Sequence, residues 1–244
     1  MKFIRKKICD LIFGASSSYV KRRIRFLKQK FIRGGYYSIN QLDKQLEKYV
    51  DYDNGFFVEL GANDGVEQSN SLYFELKRNW RGILIEPSPH NFIACREQRS
   101  NQNHIFCNAC VGFDYKDKYV DMKYANLMSI SENLDLDLID KKMHIKSGKN
   151  YLLETEVVFS FGAIAATLNS LLESAKAPNV IDFISLDVEG AKLEVLKGIN
   201  FEDYSFKFMF IEIRKLKPVK DFLIGHGYVL EKKLSDHDYL FKCV

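Results

Sequence analysis

The sequence predicts an α/β fold in which helices cover both faces of a mostly parallel sheet. Apolar, β-rich runs alternate with helical segments from residue 55 onwards, as they do in sheets that are buried on both faces. The 244 residues are 46% hydrophobic and 28% charged, which is ordinary for a globular protein and excludes a disordered or fibrous one. This length suits one large domain, or one domain with an appendage.

Three predicted strands and two predicted helices make up the first half of the domain. Ser88 and Pro89 are typical of a helix start, because Ser caps the first turn and Pro fits its first position. In chain order the elements are strand 56–60, helix 70–79, strand 82–86, helix 88–99 and strand 104–111. A strand–helix–strand–helix–strand order indicates a parallel sheet.

Residues 113–160 are less regular and rich in Asp, Lys and Tyr. We predict that they form an insertion over the sheet, either a lid or a substrate-binding wall. The elements predicted after it are helix 164–176, strand 181–186, helix 191–198, strand 206–213 and helix 217–225. The last two apolar runs, 227–233 and 238–244, indicate a closing antiparallel pair of strands.

The first 35 residues are predicted to form a basic amphipathic helical extension to the domain at 36–244. They hold 11 Lys and Arg against one acid, Asp10, for a local charge of +10, and the remaining 25 bases and 31 acids give −6. An apolar stripe at helical spacing is formed by Val20, Ile24, Leu27 and Phe31. The stripe fits either packing on the domain or binding of residues 1–33 to an anionic membrane surface.

Cysteine content and hydropathy favour a cytoplasmic protein. Five cysteines, an odd number in a long chain, argue against a secreted disulfide framework. Cys107 and Cys110 lie in an apolar run without a second pair at zinc spacing, so we interpret them as core residues. No apolar stretch reaches the ~20 residues that span a bilayer, and Asp10 interrupts a segment that otherwise resembles a signal peptide. Membrane binding by the extension would make the protein peripheral.

The motif ELGANDG follows the first predicted strand, from Glu59 to Gly65. In α/β sheets ligands bind at the carboxyl ends of the strands, and Gly61 and Gly65 would let the backbone approach one closely. The spacing is not G-x-G-x-x-G, so the dinucleotide fingerprint is absent. The carboxylates of Glu59 and Asp64 suit a ligand with an ammonium group, such as S-adenosylmethionine. A plain turn is the alternative.

Two further positions mark neighbouring strand ends. Glu86 ends the second strand, 21 residues after Gly65, where an acid can accept the ribose hydroxyls of an adenosine; the alternative is a surface carboxylate. Asn108 and Ala109 lie where an adenine would be expected. A polar Asn inside an apolar run needs a partner, which is either the adenine edge or the backbone.

Acidic residues also follow the later strands. Asp187 and Glu189 come after a buried strand, and Glu212 lies inside a very apolar one, where an acid is costly unless it is used or paired. These three residues are the catalytic candidates, as a general base or as metal ligands. The alternative for the first two is stabilisation by a helix dipole. His144, in the predicted insertion, is a candidate base, although a locally bonded imidazole is the simpler interpretation.

Taken together, the sequence resembles the FkbM family of S-adenosylmethionine-dependent methyltransferases. The resemblance rests on FFVELGANDGVEQSNSLYFE, WRGILIEPSP, NACVG and IDFISLDVEGAKLEVLKGI, within residues 55–213. It implies a Rossmann-like class I methyltransferase fold with a seven-stranded, mostly parallel sheet and a reversed final strand. It also implies methyl transfer, usually to oxygen and often on sugars of natural products or bacterial surface glycans.

The resemblance assigns the cofactor contacts to the strand ends described above. The predicted cofactor-binding residues are Glu59, Gly61, Ala62, Asn63, Asp64, Gly65, Ser69, Asn70, Glu86, Pro87, Asn108 and Ala109. By analogy with related sugar and catechol methyltransferases, Asp187 and Glu212 would also hold any divalent cation such as Mg²⁺.

The sequence therefore predicts O-methylation of a sugar hydroxyl in a surface polysaccharide or related glycan, free or lipid-linked. Base methylation of nucleic acid is disfavoured, because the strand ending at Asp187 lacks a Pro-Pro-aromatic motif, but ribose methylation of RNA stays open. A membrane-recruited binding module without activity is a further alternative. A nucleotide-sugar dehydrogenase or epimerase is disfavoured by the missing dinucleotide motif.

Overall fold

The computed structural model describes residues 35–134, 140–152 and 156–244. Apart from Gly35, the predicted basic helical extension lies outside the described residues, so its structure and the domain boundary at 35/36 stay predictions. No helix in the described ranges is long and apolar enough to cross a membrane. Within the same ranges the four cysteines are all free.

The chain forms eleven strands and seven α-helices in these ranges. The strands are β1 (Phe56–Leu60), β2 (Arg81–Ile85), β3 (His104–Phe106), β4 (Ala109–Val111), β5 (Tyr119–Tyr124), β6 (Ile130–Ser131), β7 (Phe159–Thr167), β8 (Val180–Leu186), β9 (Ser205–Glu212), β10 (Tyr228–Lys233) and β11 (Asp238–Cys243). The helices are α1 (Leu42–Leu46), α2 (Leu72–Arg78), α3 (Pro89–Gln98), α4 (Lys141–Gly148), α5 (Leu168–Ser174), α6 (Lys192–Leu196) and α7 (Leu216–Ile224).

The main sheet has seven strands in the order β10-β11-β9-β8-β1-β2-β3. The pairs from β9 to β3 are all parallel, whereas β11 runs antiparallel to both β9 and β10. The sheet is therefore mixed, with the reversed final strand that the resemblance implies. This order, with β8 at the centre and β1 between β8 and β2, is that of the Rossmann-like class I methyltransferase fold.

Both faces of the main sheet are buried because its central strands are apolar at successive positions. On β1, Val58 packs into one hydrophobic cluster and Phe57 into the other. On β8, Ile184 packs into the same cluster as Val58, and Phe183 packs into the same cluster as Phe57. Helices α1–α3 contribute to the Phe57 side and α5–α7 to the Val58 side. Each such side chain stabilises the fold by roughly 1.5–3 kcal/mol, so the strand ends sit on a rigid scaffold.

A second sheet has the order β4-β7-β5-β6. Of its strands, β5 and β6 lie within the predicted insertion, whereas β4 precedes it and most of β7 follows it. The single strand predicted at 104–111 is wrong: β3 ends at Phe106, and β4 begins at Ala109 in the second sheet. The helix predicted from residue 164 starts only at Leu168, since the preceding residues pair with β5 and β4. Thr167 caps that helix by accepting a hydrogen bond from the Ser170 backbone N–H at 3.2 Å.

Candidate active site

A cavity of about 470 Å³ lies at the carboxyl ends of β1, β2, β8 and β9, with the second sheet as its opposite wall. Its volume falls within the range of small-molecule sites. Most of the predicted site residues line it, namely Glu59, Gly61, Ala62, Asn63, Ser69, Asn70, Glu86, Pro87, Asn108, Ala109, Asp187, Glu189 and Glu212. The sheet topology thus gathers residues that are up to about 150 positions apart in the chain.

Asp64 and Gly65 do not line this cavity, so the geometry gives no support to their predicted cofactor contact. The Asp64 carboxylate accepts hydrogen bonds from the backbone N–H groups of Val66 at 3.0 Å and Glu67 at 2.8 Å. It therefore closes a turn of the kind typical of Asp. Gly65 has φ +81°, and a Cβ there would lie 2.9 Å from the Cys95 sulfur. Both residues therefore determine the conformation of the loop without lining the cavity.

Glu59 lines the cavity, but its carboxylate also organises the loop that follows β1. It accepts hydrogen bonds from the hydroxyl of Ser69 at 3.0 Å, from the hydroxyl of Ser71 at 2.5 Å and from the backbone N–H of Asn70 at 2.8 Å. The Arg99 guanidinium lies 3.3 Å from it. A buried carboxylate needs such partners, so Glu59 fixes Ser69 and Asn70 on the cavity wall.

Gly61 lets two strand ends approach each other. Its φ is +76°, and a Cβ there would lie 1.9 Å from the backbone carbonyl oxygen of Asp187. The Gly61 N–H donates to the Ile85 carbonyl at 3.0 Å, and the Asp187 N–H donates to the Leu60 carbonyl at 3.3 Å. The glycine is required here by the contact with the protein backbone, whereas the sequence suggested an approach to the ligand.

Glu86 is the buried acid at the end of β2, where an adenosine ribose was predicted. Its two oxygens each accept one backbone hydrogen bond, from Asn63 and from Ser88, both at 2.9 Å. Burial raises the pKa of Glu86 to about 7, and nearby Asp64 adds to the rise, while the two hydrogen bonds oppose it. Each oxygen keeps a further lone pair, so the carboxylate is able to accept ribose hydroxyls.

Asn108 and its neighbours form the wall on which an adenine was predicted to lie. The Asn108 side-chain N–H donates to the Ile164 carbonyl on β7 at 3.2 Å. Asn108 thus has a backbone partner. Its hydrogen bond connects the residues between β3 and β4 to the second sheet. Pro87 and Ala109 line the same part of the cavity.

The three predicted catalytic acids meet at the ends of β8 and β9. One side-chain oxygen from each of Asp187, Glu189 and Glu212 lies within 4.8 Å of the others. Asp187 opens onto the cavity and hydrogen-bonds to Glu212. Two carboxyl groups that hydrogen-bond to each other must share a proton. Desolvation in the cavity wall and the carboxylates of Glu212 and Glu189 raise the pKa of Asp187 well above its usual range.

Cationic side chains surround these acids. The Lys192 ammonium is buried 3.6 Å from Glu212 Oε2, and Arg214 lies 3.4 Å from both Glu189 and Glu212. Burial alone would raise the pKa of Glu212, but Lys192, the hydrogen bond from Asp187 and Arg214 hold it below its usual range. These neighbours therefore favour the ionised form of Glu212.

His144 of α4 reaches the acid cluster from the second-sheet side. Its Nε2 atom lies 3.2 Å from Glu189 Oε2, so the imidazole brings α4 into contact with the turn after β8. Glu189 has φ +35°, a left-handed conformation that is uncommon outside glycine. The sequence singled out His144 but gave no indication of its partner.

The donor set does not fit a Mg²⁺ ion well. Three clustered carboxylates are ligands of the right kind, and Asp187 and Glu212 were the predicted ones. However, Glu212 and Glu189 already face Lys192, Arg214 and His144 at 3.2–3.6 Å. A divalent cation would have to lie against the ammonium of Lys192 and the guanidinium of Arg214. The cluster is arranged as an acid–base and ion-pair network.

Two functional contacts were missed by sequence reasoning. Arg99, which anchors Glu59, stands at the end of a polar helix, and nothing in its neighbourhood marks it. Lys192 lies two residues after the DVEG turn. The sequence shows only that it begins the helix after this turn, and this does not indicate that it contacts Glu212. Both depend on partners that are distant in the sequence.

The fold and this cavity together define an S-adenosylmethionine-dependent methyltransferase. Residues 59–241 match the family model described as the methyltransferase FkbM domain. This match covers most of the chain, and the protein therefore belongs to the FkbM methyltransferase family. No significant match is found among the curated proteins.

Several solved structures are similar at low identity. PH1948 of Pyrococcus horikoshii, described as an RNA methyltransferase candidate, is 12% identical with a TM-score of 0.40, covering 84% of this chain and 80% of its own. Precorrin-6y C5,15-methyltransferase of Geobacter metallireducens is 13% identical with a TM-score of 0.41, covering 81% and 84%. TrmK of M. capricolum, in complex with S-adenosylhomocysteine, is 12% identical with a TM-score of 0.35, covering 81% and 66%.

Proposed function

We propose that the protein transfers the methyl group of S-adenosylmethionine to a hydroxyl group of a sugar, in a surface polysaccharide or related glycan. The observation that carries this proposal is the cluster of the Asp187 and Glu212 carboxyl groups on the cavity wall. A hydroxyl group must lose its proton to become a good nucleophile, and a carboxyl pair at the strand ends is a suitable acceptor.

The cofactor end of the cavity fits the adenosine part of S-adenosylmethionine. When bound, this cofactor supplies a methyl group on a sulfonium, which is already a good leaving group. Glu86 would accept the ribose hydroxyls, and the backbone from Gly61 to Asn63 would lie against the cofactor. Pro87, Asn108 and Ala109 would border the adenine. These roles follow from the positions of the residues on the cavity wall.

The acceptor end lies opposite, beside the acid cluster. Asp187 in its ionised form would take the proton from the acceptor hydroxyl. Glu212, whose ionised form Lys192 and Arg214 favour, would then accept a hydrogen bond from the protonated Asp187. Burial raises the pKa of Asp187, and a raised pKa is the direction that a general base working near neutral pH requires.

The charge of the acceptor end favours a neutral hydroxylated acceptor. Its cavity-lining acids are Asp187, Glu189, Glu212, Asp236 and Asp238, and its cavity-lining basic residues are Arg214 and His237. An excess of carboxylates repels phosphates at short range. This balance supports a sugar and counts against RNA ribose methylation.

The positive charge of the basic extension supports the proposal that the reaction takes place at the cytoplasmic face of a membrane. Residues 1–35 carry a local charge of +10, and each Lys or Arg near an anionic surface contributes about 1 kcal/mol to binding. A lipid-linked glycan would then be presented at the same surface. This location and this acceptor form are part of the proposal.

The experiment is methyl transfer from radiolabelled S-adenosylmethionine to three separate acceptors: neutral oligosaccharides, polyprenyl-linked glycans and RNA. We expect label in a glycan, in a product that resists mild base as an ether does. Label in RNA alone would overturn the proposed acceptor. Failure of the protein to bind S-adenosylhomocysteine would instead favour a binding module without activity.

A further inference from the structure

A chain of side-chain hydrogen bonds joins the loop after β1 to the insertion. The Asn63 side-chain N–H donates to Asn126 Oδ1 at 3.1 Å, and the Asn126 N–H donates to Glu156 Oε2 at 2.8 Å. The backbone N–H of the same Asn63 donates to Glu86 at 2.9 Å. The orientation of the predicted ribose acid is therefore linked, through one residue, to the second-sheet side of the cavity.

A second series of side-chain contacts leads from Glu156 back to Glu86. Glu156 Oε1 lies 3.9 Å from His90 Nε2, and His90 Nδ1 lies 3.1 Å from the Ser88 hydroxyl. The Ser88 backbone N–H donates to the other oxygen of Glu86 at 2.9 Å. The contacts thus form a closed circuit that begins and ends at the two oxygens of Glu86. Asn126 and Glu156 are the members of this circuit that belong to the insertion.

Asn126 sits where an ordinary side chain is disfavoured. It has φ +56°, which Asn tolerates better than most residues, and it begins the short turn Asn126–Met128 that lines the cavity. Helix α4 packs closely against this turn and holds it in place. The approach is so close that a Cβ at Gly148 of α4 would lie 2.7 Å from the Ala125 side chain and 3.2 Å from that of Met128. The Asn126 amide is therefore presented from a fixed position.

We propose that Asn126 is a positioning residue for cofactor binding, and that the insertion acts as a cofactor clamp as well as an acceptor wall. Asn126, fixed by Glu156, holds Asn63 and thereby orients the Glu86 carboxylate toward the ribose. This inference rests on the proposed function, because it assumes that S-adenosylmethionine occupies the cavity. It adds a role that the cofactor-binding motifs after β1 and β2 do not contain.

The test is calorimetric titration of the full-length protein with S-adenosylhomocysteine. Asn126→Gly removes the amide without straining the positive φ. We expect its dissociation constant to rise about tenfold, as the loss of about 1.4 kcal/mol of hydrogen bonding would give. The matched control is Asn133→Gly, which removes another insertion asparagine with two hydrogen bonds, to the Asp121 N–H and the Tyr115 hydroxyl. That variant should bind as the wild type does.

Two further readouts separate positioning from general damage. The double variant Asn63→Gly/Asn126→Gly should bind no more weakly than Asn63→Gly, because both changes break the same link and Gly tolerates the positive φ at both positions. S-adenosylhomocysteine should slow hydrogen exchange across residues 119–131 in the wild type and not in Asn126→Gly. Equal affinity of Asn126→Gly and wild type would overturn the inference and leave the proposed function intact. Absence of binding by the wild type would overturn both.

Discussion

Arg99 and Glu59 form a buried ion pair behind the cavity, with Arg99 Nη1 3.3 Å from Glu59 Oε2. The same guanidinium lies 2.8 Å from Glu75 on α2 and donates to the Gly65 carbonyl at 3.0 Å. One side chain at the end of α3 thus joins β1, α2 and the loop between them. The geometry of the cofactor end therefore depends on a residue that no cavity-lining motif includes.

Replacing Arg99 by Met should destabilise the protein strongly. Glu59 and Glu75 would be left buried without their cation, and breaking a buried pair costs about 3–5 kcal/mol. The measurement is the free energy of unfolding in urea. Lys217→Gln is the control, because its pair with Asp221 is exposed and worth at most about 1 kcal/mol. Similar losses in the two variants would contradict the structural role of Arg99.

Replacing Gly61 by Ala should also destabilise the fold and distort the acid cluster. The new Cβ would lie 1.9 Å from the Asp187 carbonyl oxygen, at φ +76°. We expect a loss of at least about 2 kcal/mol in unfolding free energy. Gly227→Ala is matched for φ, at +81°, but nothing lies within 4 Å of its Cβ. It should lose only about 1 kcal/mol, so equal losses would show that the Gly61 contact is unimportant.

Replacing Asp187 by Asn should lower methyl transfer without preventing cofactor binding. Asn cannot take a proton from the acceptor hydroxyl, and losing a general base costs about 10²–10⁴-fold in rate. Turnover and the dissociation constant of S-adenosylhomocysteine should be measured side by side. Asp182→Asn changes the other end of the same strand, where Asp182 pairs with Lys207 at 2.7 Å, and should leave turnover unchanged. Full activity of Asp187→Asn would remove this residue from the proposed chemistry.

The stability of the protein should depend on pH through Glu86. Because its pKa is about 7 in the folded state and 4.5 ordinarily, the folded protein binds the proton more tightly than the unfolded chain. The unfolding free energy should therefore fall as pH rises from about 4.5 to about 7, by about 3 kcal/mol. Urea unfolding at pH 5 and pH 8 would measure this. In Glu86→Gln, the unfolding free energy should differ less between pH 5 and pH 8 than in the wild type. An equal difference in the two proteins would contradict the role of Glu86.

The basic extension should bind anionic vesicles if its proposed membrane role is correct. Replacing Lys21, Arg22, Arg25 and Lys28 with Gln removes four positive charges, each worth about 1 kcal/mol at such a surface. Sedimentation with phosphatidylserine vesicles should then fall by at least tenfold at low salt. The same replacement should not affect the weak sedimentation with neutral phosphatidylcholine vesicles. Undiminished binding to the anionic vesicles would point to a different surface.

Sequence reasoning succeeded where a local pattern decides the structure. The strands β1, β2, β8 and β9 are apolar at successive positions, and acids at their ends must meet at one sheet edge. It failed at the break after Phe106, since nothing in an apolar run shows where a chain changes sheets. It could not find the role of Asn126, because the amide has partners 63 and 30 positions away. Contacts of this kind depend on tertiary structure alone.

The parallel pairing of β4 with β7 has a consequence for how acceptor specificity can diversify. Ala109 faces Ala165 and Val111 faces Thr167, so the chain leaves and rejoins the methyltransferase core at adjacent points. A segment whose ends are already side by side can be exchanged for a longer or shorter one at little entropic cost. Grafting the segment between β4 and β7 from a relative should transfer acceptor preference, provided that the graft supplies an amide at the position of Asn126.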